Sequence, residues 1–211
     1  MIKQLMRHLA LLCVLFSIST SGWASTPAKT TVKIKTSLGD IVVALDGEKA
    51  PRSVKNFLQY VEEKFYDGTT FHRVIASFMV QGGGYTKIYK RKPTHAQIRN
   101  EANNGLKNVR GSIAMARTSD PHSATAQFFF NVVDNPFLDH KEASGNGWGY
   151  AVFGHVIEGM DVVDKIRYID TGAAGPFYSN VPLKTVLINS IRIIPDARFP
   201  VSTPSAPLQG E

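Results

Sequence analysis

The most informative stretch of the sequence is residues 71–85, which read Phe-His-Arg-Val-Ile-Ala-Ser-Phe-Met-Val-Gln-Gly-Gly-Gly-Tyr. Its first five residues are typical of a short β-strand that carries one arginine, Arg73. An apolar pair, a glutamine and three glycines follow. The glycines are not followed by the Lys-Ser/Thr of a phosphate-binding loop, so we expect them to form a tight turn.

Two shorter motifs follow farther along the chain, Ile113-Ala114-Met115-Ala116-Arg117 and Gln127-Phe128-Phe129-Phe130. In this order, the three motifs closely resemble the signature of the cyclophilins, which are peptidyl-prolyl cis/trans isomerases. The resemblance extends from about Val32 to Pro195. It implies a mainly all-β fold, a closed eight-stranded antiparallel barrel capped by two helices, with the active site on the outer surface of the barrel.

The hydrophobic pattern elsewhere agrees with such a fold. A turn at Gly39-Asp40 separates two β-prone runs and predicts a hairpin. Apolar residues at i, i+3, i+4 and i+7 after Pro51 predict a helix that plugs the barrel; they are Val54, Phe57, Leu58 and Val61. Further strands are predicted at 70–75, 112–116, 128–132, 152–156 and 186–194, and a shorter helix at 160–166.

Side chains alternate between the two faces of a strand, and this alternation sorts the motif residues. Phe128 and Phe130 should point to one face and Gln127 and Phe129 to the other. The same rule puts Ala116 opposite Met115, and it puts Arg73 opposite His72 and Val74. On each strand, the residues of one face should fill the barrel and those of the other face should contact the substrate.

Arg73 is the predicted catalytic residue. Rotation about an X-Pro bond must overcome a barrier of about 18–20 kcal/mol that comes from amide resonance. The twisted transition state localises the lone pair on the proline nitrogen, so a donor aimed at that atom stabilises it more than the planar amide. A guanidinium offers several N–H groups and stays charged at physiological pH, which makes Arg73 the best candidate.

The resemblance also implies how the substrate is held. A hydrophobic slot receives the proline ring, two glutamines bind the peptide backbone on either side, and the main chain of Arg117 pairs with the residue before proline. The slot would consist of Phe78, Met79, Phe129 and Leu138, and the glutamines are Gln81 and Gln127. The full set of expected substrate-binding residues is Phe78, Met79, Gln81, Ala116, Arg117, Gln127, Phe129, Phe137, Leu138 and Tyr150.

Three of these positions depart from the family pattern. Phe137 stands where tryptophan is common, so the missing indole N–H should leave only weak binding of the cyclic peptide cyclosporin. Arg117 replaces a common asparagine and should matter little, because its backbone makes the expected contact. Tyr150 replaces a frequent histidine and keeps an aromatic wall without a group that titrates near neutrality.

The first 24 residues are predicted to be a cleavable signal peptide. Lys3 and Arg7 precede an apolar run of ten residues, Leu9–Ile18, and small residues lead to a cleavage site after Ala24. The run is too short for the ~30 Å hydrocarbon layer, so no stable membrane insertion is expected after cleavage. Residues 25–30 would form a linker, 31–195 the isomerase domain, and 196–211 a flexible proline-containing tail.

This organisation predicts export, with the bacterial periplasm as the first choice and release into the medium as the second. The single cysteine, Cys13, lies in the predicted leader. Removing Lys3 and Arg7 with the leader leaves 22 basic and 17 acidic residues, a net charge of +5. The basic residues are dispersed, so no nucleic-acid partner is expected. The exception is the basic loop 87–92, whose simplest interpretation is a solvated surface; an acidic partner or an anionic membrane surface are its alternatives.

No cofactor or metal is expected, because the histidines show no paired ligand spacing and no cysteine accompanies them. Isomerisation transfers no proton, so His72 is interpreted as a packed residue rather than an acid-base group. Two functions remain. The first is a monomeric isomerase that acts on proline-containing unfolded or partly folded polypeptides; the second is a non-catalytic chaperone or scaffold that uses the same groove. Arg73 favours the enzyme.

Overall fold

The apolar patterns of the sequence correspond to strands and helices in the computed structural model, which describes residues 29–195. The signal peptide predicted at 1–24 and the tail predicted at 196–211 lie outside the described residues. The first strand begins at Lys29, inside the segment predicted to be a linker. The strands are β1 (Lys29–Thr36), β2 (Gly39–Asp46), β3 (Thr69–Ile75), β4 (Met79–Thr86), β5 (Ser112–Met115), β6 (Phe128–Asn131), β7 (Val152–Glu158), β8 (Thr171–Ala174), β9 (Phe177–Pro182) and β10 (Leu187–Ile194). The helices are α1 (Pro51–Glu62) and α2 (Met160–Arg167).

Eight of these strands close into an antiparallel barrel, as predicted. Their order around the barrel is β1-β10-β3-β4-β6-β5-β7-β2, and β8 and β9 form a separate two-stranded sheet that the sequence analysis did not predict. Closure leaves no unpaired strand edge in the barrel. The order also explains how the motifs meet, because β3, β4, β6 and β5 are neighbours although they are dispersed in sequence.

Helix α1 plugs the barrel through its predicted apolar face. The ring of Phe57 lies 5.2 Å from Tyr66, 5.6 Å from Phe128 and 5.3 Å from Phe153, measured between centroids. All four side chains are buried, and they belong to one cluster with the inward residues of the strands. Buried aromatic rings in such tilted or edge-on contacts stabilise a core beyond their area alone. The interior of the barrel is therefore packed, and a ligand must bind on its outside.

The three glycines lie in β4 and not in a turn, so that prediction was wrong. Their role is to make room for neighbouring side chains. A Cβ at Gly82 would lie 2.7 Å from the Phe71 ring, and one at Gly84 would lie 2.5 Å from Cγ of Gln127. Gly83 combines a close approach to Phe128 with a φ of +81°, which L side chains rarely adopt. Side chains packed on both faces of β4 therefore leave too little room for a Cβ at these three positions.

A bulge in β3 changes the predicted orientation of His72. Phe71 pairs with Gly82 and Arg73 pairs with Gln81, so one residue of β3 is left without a partner. Arg73 lines the outer cavity and Val74 belongs to the interior cluster, so these two lie on opposite faces, as alternation predicts. Phe71 also belongs to the interior cluster, although unbroken alternation would put it on the same face as Arg73. The ring of His72, however, stacks on Tyr85 and Phe177 outside the interior cluster, 4.6 Å and 5.4 Å between centroids. The expectation that His72 and Arg73 lie on opposite faces was therefore wrong.

Within residues 29–195, no helix is both long enough and apolar enough to cross a membrane.

Candidate active site

A cavity of about 140 Å³ opens on the outer surface of the barrel, where the three sequence motifs meet. Nine of the predicted site residues line it: Arg73, Phe78, Met79, Gln81, Ala116, Arg117, Phe129, Leu138 and Tyr150. The remaining two, Gln127 and Phe137, lie at its margin. The cavity is shallow and one-sided, so an extended chain could cross it with one side chain inserted.

The floor of this cavity is apolar. Met79, Phe129 and Leu138 are buried there in a cluster that is separate from the barrel interior. Strand register produces this floor, because Phe129 of β6 pairs with Gln81 of β4 and its neighbours Phe128 and Phe130 point inward. The alternation predicted for this strand is therefore confirmed. Such a floor suits a small hydrophobic ring, which loses water on binding.

Arg73 stands beside the floor and is oriented by a chain of carboxamides. Its Nη1 donates a hydrogen bond to Oε1 of Gln81 at 3.2 Å, and Nε2 of Gln81 donates to Oε1 of Gln127 at 3.0 Å. The guanidinium lies 6.0 Å from the centroid of the Phe78 ring. It has no carboxylate partner in the described part of the chain. Its charge and its remaining N–H groups are therefore available to a ligand.

Arg117 and Tyr150 form one wall of the cavity together. The Arg117 guanidinium lies 4.5 Å above the Tyr150 ring, a cation–π distance. Its Nε donates to the carbonyl of Gly149 at 3.0 Å and its Nη1 donates to the carbonyl of Thr118 at 2.8 Å. From the sequence, only the backbone of Arg117 was expected to contribute. The structure shows that its side chain is also held in place, by two loops.

The two marginal residues contact the cavity through others. Gln127 reaches it through its hydrogen bond from Gln81. The side chain of Phe137 is 60% exposed, and its ring lies 5.5 Å from that of Phe78 at the rim. Phe137 therefore extends the apolar surface outward without contributing to the floor.

A buried asparagine network supports the rim, and sequence reasoning missed it. Asn135 donates from Nδ2 to the carbonyl of Phe78 at 3.0 Å and to Oδ1 of Asn131 at 2.7 Å. Asn131 in turn donates to Oδ1 of Asn108 at 3.1 Å, and Asn108 donates to the carbonyl of Leu138 at 3.2 Å. Buried carboxamides are stable only when hydrogen-bonded in this way. The network fixes two residues that line the cavity.

The site contains no group that titrates near neutral pH. Burial, together with the neighbouring charge of Arg73, lowers the pKa of His72 from 6.5 to about 4. His72 is therefore neutral at pH 7. Among residues 29–195, no group of three or more His, Cys, Asp or Glu side chains is placed to hold a metal ion.

Comparison with known proteins agrees with this geometry. Residues 31–193 match the family described as cyclophilin type peptidyl-prolyl cis-trans isomerase/CLD. Peptidyl-prolyl cis-trans isomerase B of Escherichia coli (strain K12) is 56% identical over 162 residues, covering 77% of this chain and 98% of that protein. Peptidyl-prolyl cis-trans isomerase A of Dickeya dadantii (strain 3937) is 56% identical over 165 residues, covering 78% and 85%.

A solved structure is similar over the same region. The cyclophilin type peptidyl-prolyl cis-trans isomerase of Cryptosporidium parvum, crystallised in the presence of the dipeptide Ala-Pro, superposes with a TM-score of 0.64. It is 26% identical, and the match covers 79% of this chain and 99% of the other. The family match, the two bacterial relatives and the shared barrel agree, and the chain belongs to the cyclophilin-type peptidyl-prolyl cis-trans isomerases.

Proposed function

We propose that this enzyme accelerates cis/trans isomerisation of X-Pro bonds in polypeptides that fold after export, and that Arg73 is its catalytic residue. One observation carries the assignment of Arg73. Its guanidinium has no carboxylate partner within residues 29–195, is oriented by Gln81, and stands beside the apolar floor of a cavity of about 140 Å³. A charged donor and a hydrophobic slot are the two features that stabilisation of a twisted prolyl amide needs.

The mechanism follows from where the charge develops. The proline ring lies on Met79 and Phe129, and this contact places the prolyl nitrogen within reach of Arg73. As the bond twists, the nitrogen gains a lone pair that accepts a hydrogen bond from the guanidinium, whereas the planar amide nitrogen cannot accept one. The interaction therefore forms only in the transition state and lowers the barrier. Each ~1.4 kcal/mol of such stabilisation accelerates the reaction tenfold.

The peptide backbone is held on both sides of the proline. Gln81 and Gln127 bind it there, and the main chain of Arg117 pairs with the residue that precedes proline. The N–H of Ala116 donates to the carbonyl of Gln127 at 2.9 Å, which fixes the backbone of Arg117 at the edge of the cavity. All of these residues belong to one chain, so the proposed site needs no second subunit.

The clients are proline-containing chains in the bacterial periplasm. The leader-like pattern of residues 1–24 and the bacterial origin of similar proteins support this location. Uncatalysed prolyl isomerisation takes about 10–100 s, slow enough to limit the folding of an exported protein. Cell fractionation with N-terminal sequencing tests the location: we expect a periplasmic protein that begins at Ser25. An intact N-terminus in the cytoplasm contradicts it.

Substitution of Arg73 tests the catalytic assignment. We expect Arg73→Ala to lower kcat/KM on a short X-Pro peptide by about 10²–10³-fold, the typical loss when a preorganised donor aimed at charge that develops in the transition state is removed. Arg73→Lys should recover a small part of the activity, and Arg91→Ala, an exposed arginine outside the cavity, should retain all of it. An undiminished rate in Arg73→Ala contradicts the assignment. Peptide binding without turnover by the unmodified protein favours the scaffold function instead.

A further inference from the structure

A second and larger cavity lies beside the exposed face of α1. Its volume is about 420 Å³, and it is bounded by α1 and by residues 95–99. Arg52 and Lys55 of the helix and Arg99 of the facing segment line it, with His95 at one end. Among the described residues 29–195, no aspartate or glutamate lines it. We call this cavity the basic cleft.

Nearby carboxylates do not pair with the two guanidinium groups of the basic cleft. Glu101 is engaged at the start of α1, where its oxygens accept hydrogen bonds from the N–H groups of Arg52 at 3.0 Å and of Ser53 at 2.8 Å. Its charge is thus compensated by the helix N-terminus. Glu63 pairs with His95 at 2.7 Å. Within residues 29–195, the guanidinium groups of Arg52 and Arg99 have no carboxylate partner.

The basic cleft lies close to the active site. Arg117, a wall residue of the active site, also lines a water-sized depression of about 10 Å³. Ile98 and Arg99 line both that depression and the basic cleft. The segment of residues 95–99 is held against the barrel, because the N–H of Ile98 donates to the carbonyl of Ala124 at 3.0 Å. A chain that runs over the surface from Arg117 toward Arg99 therefore approaches the basic cleft.

The direction of the bound peptide determines which of its residues reach the basic cleft. In the proposed function, on which this inference rests, the main chain of Arg117 binds the residue that precedes proline. The N-terminal part of the substrate therefore runs toward Arg99. An extended chain advances about 3.3 Å per residue, so the cleft receives residues about three to six positions before proline.

We propose that the basic cleft is a specificity site for acidic residues N-terminal to the target proline. The carboxylates pair with Arg52 and Arg99, while the amide of Gln97 and the apolar side chain of Ile98 contact the substrate backbone and the aliphatic parts of its acidic side chains. These exposed pairs act far from the twisting bond and are formed equally with the planar and the twisted amide. The cleft therefore lowers KM and leaves kcat unchanged.

Three peptides that share one Ala-Pro core test the proposal. They carry glutamates, glutamines or lysines about three to six residues before proline. A fourth carries the glutamates after it. NMR exchange measures turnover without a coupling protease. We expect kcat/KM for the acidic peptide to exceed that for the glutamine peptide by about three- to tenfold, since each exposed ion pair contributes little.

Salt and charge reversal provide the controls. The preference should disappear at about 1 M salt, where the Debye length is about 3 Å. It should also disappear in an Arg52→Glu/Arg99→Glu double variant. It should persist in Lys35→Glu, which reverses an exposed charge of β1, across the barrel from β6. Because each variant is compared with itself on two peptides, a general loss of stability does not imitate the effect.

Three results overturn the proposal: equal rates on all peptides at low salt, a preference that the double variant retains, or an equal preference for glutamates after proline. These differ from failure of the proposed function, in which no peptide is turned over. In that event, the same ratio is read from the Kd values of the four peptides, and an acidic preference that the double variant loses still supports the cleft.

Discussion

Nη1 of Arg73 and Oε1 of Gln81 are joined by a hydrogen bond of 3.2 Å across neighbouring strands of the barrel. Arg73 and Gln81 are paired in the register of β3 and β4, so the bond is fixed by the sheet itself. Gln81 is fixed in turn by Gln127 of the segment that enters β6. The direction of the guanidinium is therefore set by backbone pairing before a substrate arrives.

Replacing Gln81 tests whether this orientation matters. In Gln81→Leu, the guanidinium loses its acceptor and the substrate backbone loses a partner. We expect kcat/KM to fall by about ten- to a hundredfold, since a hydrogen bond to a charged group contributes about 1.5–3 kcal/mol. Gln127→Leu, one bond farther from Arg73, should have a smaller effect on the same peptide assay. An equal or larger effect of Gln127→Leu contradicts a chain that is centred on Arg73.

The glycine run offers a second test, through Gly84→Ala. The backbone at Gly84 does not require glycine, but a Cβ there would lie 2.5 Å from Cγ of Gln127. We expect the displaced glutamine to lower kcat/KM by about tenfold, with little change in the free energy of unfolding. Gly82→Ala is the matched control, because its Cβ meets Phe71 in the core and should cost about 1–3 kcal/mol of stability. Both values come from peptide assays and urea unfolding.

The sequence predicted those features that depend on local pattern. Alternation on β6 separated Phe129 from Phe128 and Phe130, and helical spacing located α1 from Pro51. The short helix predicted at 160–166 is found at Met160–Arg167. These elements are specified by residues close together in the chain. The closed barrel was predicted by resemblance, because pairing of distant strands is not encoded in any short window.

The features that were missed depend on distant partners. β4 was taken for a turn because its glycines make room for Phe71 and Gln127, which lie on other strands. His72 was placed on the wrong face because the bulge in β3 is visible only in its pairing with β4. The buried Asn131 ends an apolar run and shows no periodicity, so nothing in the sequence indicated its hydrogen bonds.

Burial of His72 predicts how stability depends on pH. Its pKa is lowered from 6.5 to about 4 in the folded protein, so the unfolded chain binds this proton more tightly. The stability is fully present above pH 6.5 and is lost as pH falls toward 4. We expect a loss of about 3 kcal/mol over that range, at 1.36 kcal/mol for each tenfold difference in proton affinity. Carboxyl groups with a lowered pKa, such as Asp67 beside Arg192, act mainly below this range.

Urea unfolding at several pH values measures this effect. His72→Gln should flatten the slope between pH 6.5 and 4, whatever its stability at pH 7. NMR titration of the His72 ring should give a pKa near 4. A ring that titrates near 6.5, or a slope that His72→Gln leaves unchanged, contradicts the prediction.

The isomerase rate, in contrast, should be nearly flat between pH 5 and 8. The proposed site acts through a guanidinium, which keeps its proton at physiological pH, and through carboxamides, which do not ionise. Tyr150→His should introduce a pH dependence, because it places an imidazole beside the Arg117 guanidinium, which now lies 4.5 Å from the tyrosine ring. That neighbouring charge lowers the pKa of the imidazole, so we expect the step below about pH 6.5. A steep step near neutrality in the unmodified enzyme would falsify the assignment.

Phe137→Trp should separate drug binding from catalysis. The Phe137 side chain is 60% exposed at the rim and touches Phe78, so an indole can be accommodated there without repacking the floor. Its N–H can donate one hydrogen bond to cyclosporin, which contributes about 0.5–1.5 kcal/mol. We therefore expect the Kd for cyclosporin to fall by about two- to tenfold, measured by calorimetry, while kcat/KM on a short X-Pro peptide changes by less than about twofold. Phe137→Leu replaces the ring with a smaller aliphatic side chain and adds no donor. This variant should bind cyclosporin no more tightly than the unmodified protein. If Phe137→Leu and Phe137→Trp improve binding equally, then access to the rim, and not the missing donor, limits cyclosporin.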